Sequence, residues 1–546
     1  MTAKPTLLLL LFALPAAAQD SLLLRSYDFL RQTDPWLTAS NAAALTHFTA
    51  PGIVEAEARL TATDGRFVDF DGAANALTAG AGIESVTRIS PQTVVRGAIR
   101  YDNFSGRQMS GSAFLSGSHR PFDIVEDSLT NAGRKHSDTY SLSGSVGHSC
   151  SQRLSVGAAI DYTSANYAKY KDLRHKNKLM DMHVSAGLFS PLTRWLSVGA
   201  DYSYHRRTEA LSFGTYGKSD KVYKSLVDYG AFMGTVEQFG NQGYTDQSHE
   251  MPLFEDGHGF GIQTELTPWQ EPGSLGRRLS LFAALDYRHS SGYYGRRSPY
   301  TATLTGHDRD ELGATARLSL LMPQDRYMLE ARFMQEKLLN RANTFREMTS
   351  ADNGANYYEY YDPVETGRKR WCQFDVKATA LLGIQGEMPR WDLQADYSWR
   401  SRRQDAYLFP NYRHQLLTTQ RVGLSACRHL LTRGGLWSLA VSAAWQNGFG
   451  RPFTDGSLVD DLSVPAASAA ANAVAPVETF LYREYSVLTS PQYSVGANIG
   501  YDFVPRSAQT KLHTAIEVEH LKAVHSSLYC LGTHHTALSV VVGCTF

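Results

Sequence analysis

A period of two runs through this chain and leaves few folds open to it. Alternate residues of a β-strand face opposite sides. Between Arg278 and Arg288 one side carries Leu279, Leu281, Ala283, Leu285 and Tyr287; the other carries Ser280, Phe282, Ala284, Asp286 and Arg288. From Trp391 to Arg400, Leu393, Ala395, Tyr397 and Trp399 alternate with Asp392, Gln394, Asp396 and Ser398. Leu196, Val198, Ala200, Tyr202 and Tyr204 alternate with Ser197, Gly199, Asp201, Ser203 and His205. Such runs last about 10–13 residues, against about 5–6 for most strands of soluble sheets. A tilted strand needs about 9–11 residues to cross a bilayer. Aromatics stand at both ends of the apolar sides: Trp391 opens one that Tyr397 and Trp399 close, and Trp437 and Trp445 bracket Leu439, Val441 and Ala443. Girdles at the two membrane interfaces account for that placement. Charged residues are 19% of the 546, and mean hydropathy is −0.30, too polar for a bundle of membrane helices. Lys+Arg and Asp+Glu are both 53, so the basic excess of a nucleic-acid-binding surface is missing.

The alternation predicts an all-β transmembrane antiparallel barrel of about 18 strands, plausibly roughly 16–20. The strands fall near 53–63, 79–89, 93–103, 137–148, 153–165, 178–190, 194–207, 257–268 and 277–289. They continue near 308–322, 326–338, 370–384, 390–403, 414–430, 436–448, 490–504, 509–522 and 534–546. Short turns, such as Ser90-Pro91-Gln92, Met322-Pro323-Gln324-Asp325 and Pro505-Arg506-Ser507, alternate with long loops near 104–136, 208–256, 339–369 and 449–489. Bacterial barrels have short periplasmic turns and long outer loops. The long loops are therefore expected outside the cell, within reach of added protease.

Lys4, the apolar run Leu7–Leu14 and Ala16-Ala17-Ala18 form the three parts of a secretory signal peptide over residues 1–18. Residues 19–52 then form a short segment ahead of the barrel, which takes 53–546. Leu22, Leu23, Leu24, Tyr27, Phe29 and Leu30 suggest a short helix in it. The segment lies either in the periplasm or in the lumen. There it acts as a hatch, with Trp36 and Leu37 as anchors. The alternative is a frayed periplasmic tail. The five cysteines have no metal-ligand or disulfide spacing and read as fillers on strands. Leu538, Val540, Val542, Cys544 and Phe546 share one side of the last strand, which resembles the terminal strand by which outer-membrane barrels are recognised for assembly.

Asp34-Pro35-Trp36-Leu37, Asn41-Ala42-Ala43-Ala44-Leu45, Tyr101-Asp102-Asn103-Phe104-Ser105-Gly106, Met109-Ser110-Gly111-Ser112-Ala113 and Pro121-Phe122-Asp123-Ile124 resemble an outer-membrane β-barrel family classed as a domain of unknown function. The resemblance covers nearly the whole mature chain. It implies a fold and an outer-membrane location, and supplies no site residues.

Side chains on the polar faces are the candidates for lining a pore: Glu55, Glu57, Arg59, Asp201, His205, Asp286, Arg288, Glu330, Arg332, Glu336, Asp396, Arg400, Glu517 and Glu519. A barrel of this size leaves a wide lumen, where such charges either select solutes or pair across strands and stiffen the wall. The loop cluster Tyr357, Tyr358, Tyr360 and Tyr361 either contacts a ligand such as a glycan or orders the loop by packing. His289 and Ser291, two apart on one side of a strand, resemble the His-x-Ser element of outer-membrane phospholipases. No Asn follows before Asn340 to orient the histidine, so no enzyme is expected. A transporter with a plug domain of on the order of a hundred residues and about 22 strands does not fit the short segment 20–52. The expected function is a porin-like or gated diffusion channel for small polar solutes. The alternative is a surface-exposed binding or structural barrel whose loops engage a ligand or protein. Outer-membrane lipid, lipopolysaccharide and the barrel-assembly machinery are the expected partners, with no cofactor, no metal and no nucleic acid.

Overall fold

The computed structural model describes residues 26–115, 119–126, 131–216, 221–240, 243–271, 277–298, 301–352, 354–459, 477–505 and 510–546. The signal peptide expected over 1–18, the leucines Leu22–Leu24, and Arg506 and Ser507 of the last short turn lie outside the described residues.

Eighteen strands close into an antiparallel barrel. In chain order they are β1 Gly52–Asp64, β2 Asn75–Ser90, β3 Thr93–Met109, β4 Gly133–Ser151, β5 Leu154–Lys169 and β6 Arg174–Pro191. Next come β7 Leu196–Gly214, β8 Met251–Gln270, β9 Arg278–Ser298, β10 Thr301–Leu321, β11 Arg326–Ala342 and β12 Val364–Leu382. The last six are β13 Trp391–Leu408, β14 Asn411–Leu431, β15 Leu436–Ser457, β16 Gln492–Phe503, β17 Lys511–Ala523 and β18 His534–Thr545. Each pairs with its sequence neighbour, and β1 pairs with β18 from Glu55↔Thr545 to Asp64↔Thr536. Closure removes the open edges that hydrocarbon does not tolerate.

Leu60, Ile83, Ile99, Leu285, Val441 and Val542 point outward and are exposed, as lipid-facing residues must be. Trp195, Trp391 and Trp437 are exposed near strand ends, and Trp445 is exposed within β15. The barrel therefore spans the outer membrane. Several strands run past their expected ends: the one expected at 436–448 continues to Ser457, and the one at 153–165 to Lys169. Above the bilayer the outward side no longer needs apolar residues, so alternation fades while the ladder continues. All five cysteines are unpaired.

The outer loops depart from expectation. Residues 109–115, 119–126, 221–240 and 243–251 do not simply project into the medium. They fold back into the barrel, where Phe122, Ile124, Val125, Leu226, Val227 and Tyr229 are buried. The loop after β15 carries helix α2, Val477–Thr489, with Phe480 and Leu481 buried. Helix α1, Tyr27–Thr33, belongs to the segment before the barrel.

Candidate functional site

The lumen is filled from both ends. At the periplasmic end lie residues 26–48. Ser26 caps α1 by accepting from Phe29 N (3.2 Å). Asp34 caps the 3-10 turn Pro35–Thr38 by accepting from Trp36 N (2.9 Å), and Asn41 caps the turn Ala42–His47. These caps satisfy the exposed amides of a segment too short to hold helix on propensity alone.

A row of glycines receives the segment. Gly147, Gly157 and Gly187 are cross-strand neighbours on β4, β5 and β6, and Gly199 follows on β7. A Cβ on Gly157 would overlap Ala43 N, and one on Gly187 would overlap Asn41 Oδ1. Only glycine lets the Asn41–Leu45 backbone approach so closely. Asn41 Nδ2 donates to Leu188 O (2.8 Å) and Gln263 Oε1 (3.1 Å). Trp36 is 1% exposed, packs edge-on against Phe189 and Phe282 with centroids 4.8 and 5.2 Å away, and donates from Nε1 to Glu265 (2.7 Å). Leu37 is half-buried against the cluster of Tyr27, Leu45 and Phe48. Arg88 donates to the carbonyls of Thr46 and Phe48.

The outer half holds a second closure. The short strands Asp123–Glu126, Lys224–Gly230 and Met233–Gln238 form one small sheet. Its side chains Phe122, Ile124, Val227 and Tyr229 pack on Leu211, Leu253 and Tyr294 of the wall. Its hairpin turns at Ala231 and Phe232, both with positive φ (50° and 57°), a costly conformation for residues with a Cβ. The turn is held where it meets the wall: Gln404 Oε1 accepts from Ala231 N (2.7 Å), and Phe232 packs between Phe70 and Phe480. Arg120 forms an ion pair with Glu209, both buried, and Glu209 also accepts from Asn177 Nδ2 (2.7 Å). Arg402 grips Glu484 of α2 through two bonds of 2.7 Å. Burial pushes the carboxyl of Asp123 up to about 7 and raises Asp69, Asp71 and Asp228 above the usual carboxylate range.

Between the closures lies a cavity of about 480 Å³, bounded by Ser40 below, His119 above, and Asp201, Asp286, Arg332 and Trp371 on the wall. His119 stacks on Trp371 at 4.6 Å. The expected pore residues lie on the wall strands, alternating with the exposed apolar row, and most are paired. Glu57 and Arg59 meet at 3.3 Å, and Arg59 reaches Glu517 at 2.6 Å. Glu55 accepts from Tyr27 N (3.4 Å). Asp201 accepts from Gln263 (2.5 Å) and Ser40 (3.0 Å), and Asp286 stands 3.3 Å from the same hydroxyl. His205 pairs with Asp181 (2.8 Å), Arg288 with Glu311, Arg332 with Glu330 (2.8 Å), Glu336 with Arg309 (2.6 Å) and Asp396 with Arg421 (2.5 Å). Arg400 is exposed to the lumen. Where these pairs are half-exposed they stabilise the wall little.

The tyrosine cluster sits on a projecting hairpin, Phe345–Thr349 with Asn356–Tyr360. Tyr358 and Tyr360 pack on Phe345, while Tyr357 and Tyr361 are exposed. His289 and Ser291 lie on the outward side of β9. The orienting group judged missing from the sequence is present as a carboxylate: Asp310 Oδ1 is 2.9 Å from His289 Nδ1. Among the described residues Ser291 makes no hydrogen bond to His289, and the β9 amides there are committed to the ladders with β8 and β10.

The inward loops were not anticipated from the sequence. Their signal is Leu226-Val227-Asp228-Tyr229-Gly230-Ala231-Phe232-Met233, too apolar for a stretch in water.

With this geometry, comparison with known proteins is informative about family. The chain belongs to a family of unknown function, DUF6850, matched over residues 42–546. The match agrees with the resemblance seen in the sequence. No curated protein matches the chain. Among solved structures, the outer membrane transporter YddB from Escherichia coli is similar at 8% identity and TM-score 0.40, over 90% of this chain and 80% of that one. The RagAB peptide importer is similar at 8% and 0.40, over 91% and 87%. BauA, the ferric preacinetobactin receptor from Acinetobacter baumannii, is similar at 9% and 0.34, over 89% and 80%. At these scores the likeness carries no argument about what this chain does.

Proposed function

We propose that the protein is a gated outer-membrane channel for small polar solutes. The observation that carries this reading is the pairing of two separate closures with a chamber between them whose wall carries Asp201, Asp286, Arg332 and His119. A barrel built only as a scaffold has no need of an internal chamber of about 480 Å³. In the proposed cycle the outer sheet and the N-terminal hatch yield in turn. Glu57, Arg59, Asp201, Asp286, Arg288, Glu330, Arg332, Asp396, Arg400 and Glu517 line the route and favour polar solutes over apolar ones. Proteoliposome swelling tests it. Vesicles holding the protein without residues 26–48 and with Glu209→Ala, so that neither closure is intact, should swell in small sugars and amino acids and resist larger ones. Absence of swelling with every solute, from a folded barrel, contradicts the reading.

One observation favours a second reading, a binding barrel: the exposed Tyr357 and Tyr361 on a hairpin ordered by its own aromatic packing. Deleting residues 346–359 would then abolish adhesion to a glycan or protein while leaving swelling unchanged.

A further inference from the structure

The outward wall of β8–β10 changes character along its length. Phe260, Ile262, Leu285, Tyr287 and Leu312 are exposed there, a surface that acyl chains cover. Further out on the same strands the rings of Phe254 and Tyr293 meet at 5.1 Å. Arg206 lies over Phe254 at 5.0 Å and Arg297 over Tyr293 at 4.2 Å. Stacking holds a guanidinium flat and leaves its N–H edge free to bind. Among the described residues neither arginine has an ion-pair partner.

Beside this row a cleft of about 310 Å³ opens, with Arg297 and Arg341 at its edges. Arg341 pairs with Asp308 at 2.5 Å. The cleft exists because Gly306 faces outward without a side chain; a Cβ there would meet nothing nearer than Gly292 O at 3.8 Å. Within the cleft Arg297 and Arg341 balance Asp256 and Asp308, and Arg206, opposite Asp256 across β7 and β8, adds a third cation beside it.

We propose that this cleft holds the phosphorylated headgroup of an outer-leaflet glycolipid. Arginine forks bind phosphate oxygens two at a time, and the aromatic faces suit the sugar. The cleft opens sideways just above the apolar band. A ligand seated there also lays acyl chains on Phe260, Ile262 and Leu285, an anchor that free phosphate lacks. The assignment does not depend on whether the lumen conducts.

The test uses the full-length protein in detergent micelles, with native mass spectrometry reading bound lipid. The probes are lipid A carrying both phosphates and the same lipid A with both removed, with inorganic phosphate as competitor. The wild type should retain the phosphorylated lipid. Binding should weaken about tenfold or more when the phosphates are removed, or in the double variant Arg297→Ala/Arg341→Ala. Gly306→Phe, which fills open space, should abolish saturable binding. A heat-dependent gel shift reports that each variant is a folded barrel; should Gly306→Phe fail to fold, the arginine variant decides. Equal binding of the two lipids, or by wild type and the arginine variant, overturns the proposal. Displacement of lipid A by inorganic phosphate makes this a simple anion site and also overturns it.

Discussion

A single side chain at Gly157 is expected to unseat the N-terminal hatch while leaving the barrel intact. The position is extended strand with its ladder bonds made to β4 and β6, so valine suits the backbone there. Its Cβ, however, would overlap the Ala42–Ala43 peptide. Relief requires the segment to lift, which pulls Asn41 from Leu188 O and draws Trp36 from between Phe189 and Phe282. Losing a buried tryptophan contact costs about 3–5 kcal/mol, and its bond to the Glu265 carboxylate about 1.5–3 kcal/mol more. A penalty of about 3–5 kcal/mol alone multiplies the undocked population by a factor of roughly a hundred to a few thousand. The assay is the sensitivity of cells to a hydrophilic antibiotic too large for ordinary porins, measured in a Glu209→Ala background that loosens the outer closure. Gly157→Val and Trp36→Ala should both raise it. Gly97→Val is the control, since a Cβ there meets nothing within 4 Å. If both variants assemble to wild-type levels with a normal heat-dependent gel shift, and the cells are no more sensitive than the Gly97→Val control, the segment is not a closure.

The outer closure should loosen with alkali. Asp123 has its carboxyl pushed up to about 7 by burial, beside Asp228 and Lys369 and accepting from Ser112 Oγ (2.7 Å). Because the folded value exceeds the unfolded one, the stability this group contributes is complete at acid pH and is lost as pH rises through about 7. Proteolysis of residues 223–238 in the assembled barrel should therefore speed up as pH rises from about 4 to about 7 and level off above that, and Asp123→Asn should flatten that dependence; an unchanged profile in the variant contradicts it. Glu209→Ala strands buried Arg120, a loss of about 3–5 kcal/mol, and should expose the same segment at neutral pH while the barrel's gel shift is retained. On intact cells, protease should cut the hairpin at 345–360 and spare Leu226–Tyr229; cleavage in the reverse order would mean the inward fold of loop 214–251 is wrong.

The barrel was legible because lipid imposes its rule on every spanning residue: one face apolar, the other polar. That is why Leu279–Tyr287 and Trp391–Trp399 announce strands, and why alternation loses its meaning above the membrane, where β15 runs on to Ser457. Trp36 also stood out, as a large aromatic in a segment with no strand period. Its receptor did not. Gly147, Gly157 and Gly187 look like strand filler until the register aligns them, and so does Gly199 until Asn41 and Trp36 are seen against it. The inward loops were read as projecting because loop length signals position after a strand, not the direction of folding. His289 shows the same limit: the partner that orients it, Asp310, is brought opposite by register, and no local motif encodes it.

The central claim is a wide lumen closed independently at each end. Single-channel recording in planar bilayers tests it most directly, comparing the wild type with Gly157→Val, Glu209→Ala and the two combined. The wild type should be nearly silent, each single variant should give brief or partial openings, and the combination should give large steady ones. A combined variant that folds and remains silent, or a wild type that conducts steadily, would contradict the account.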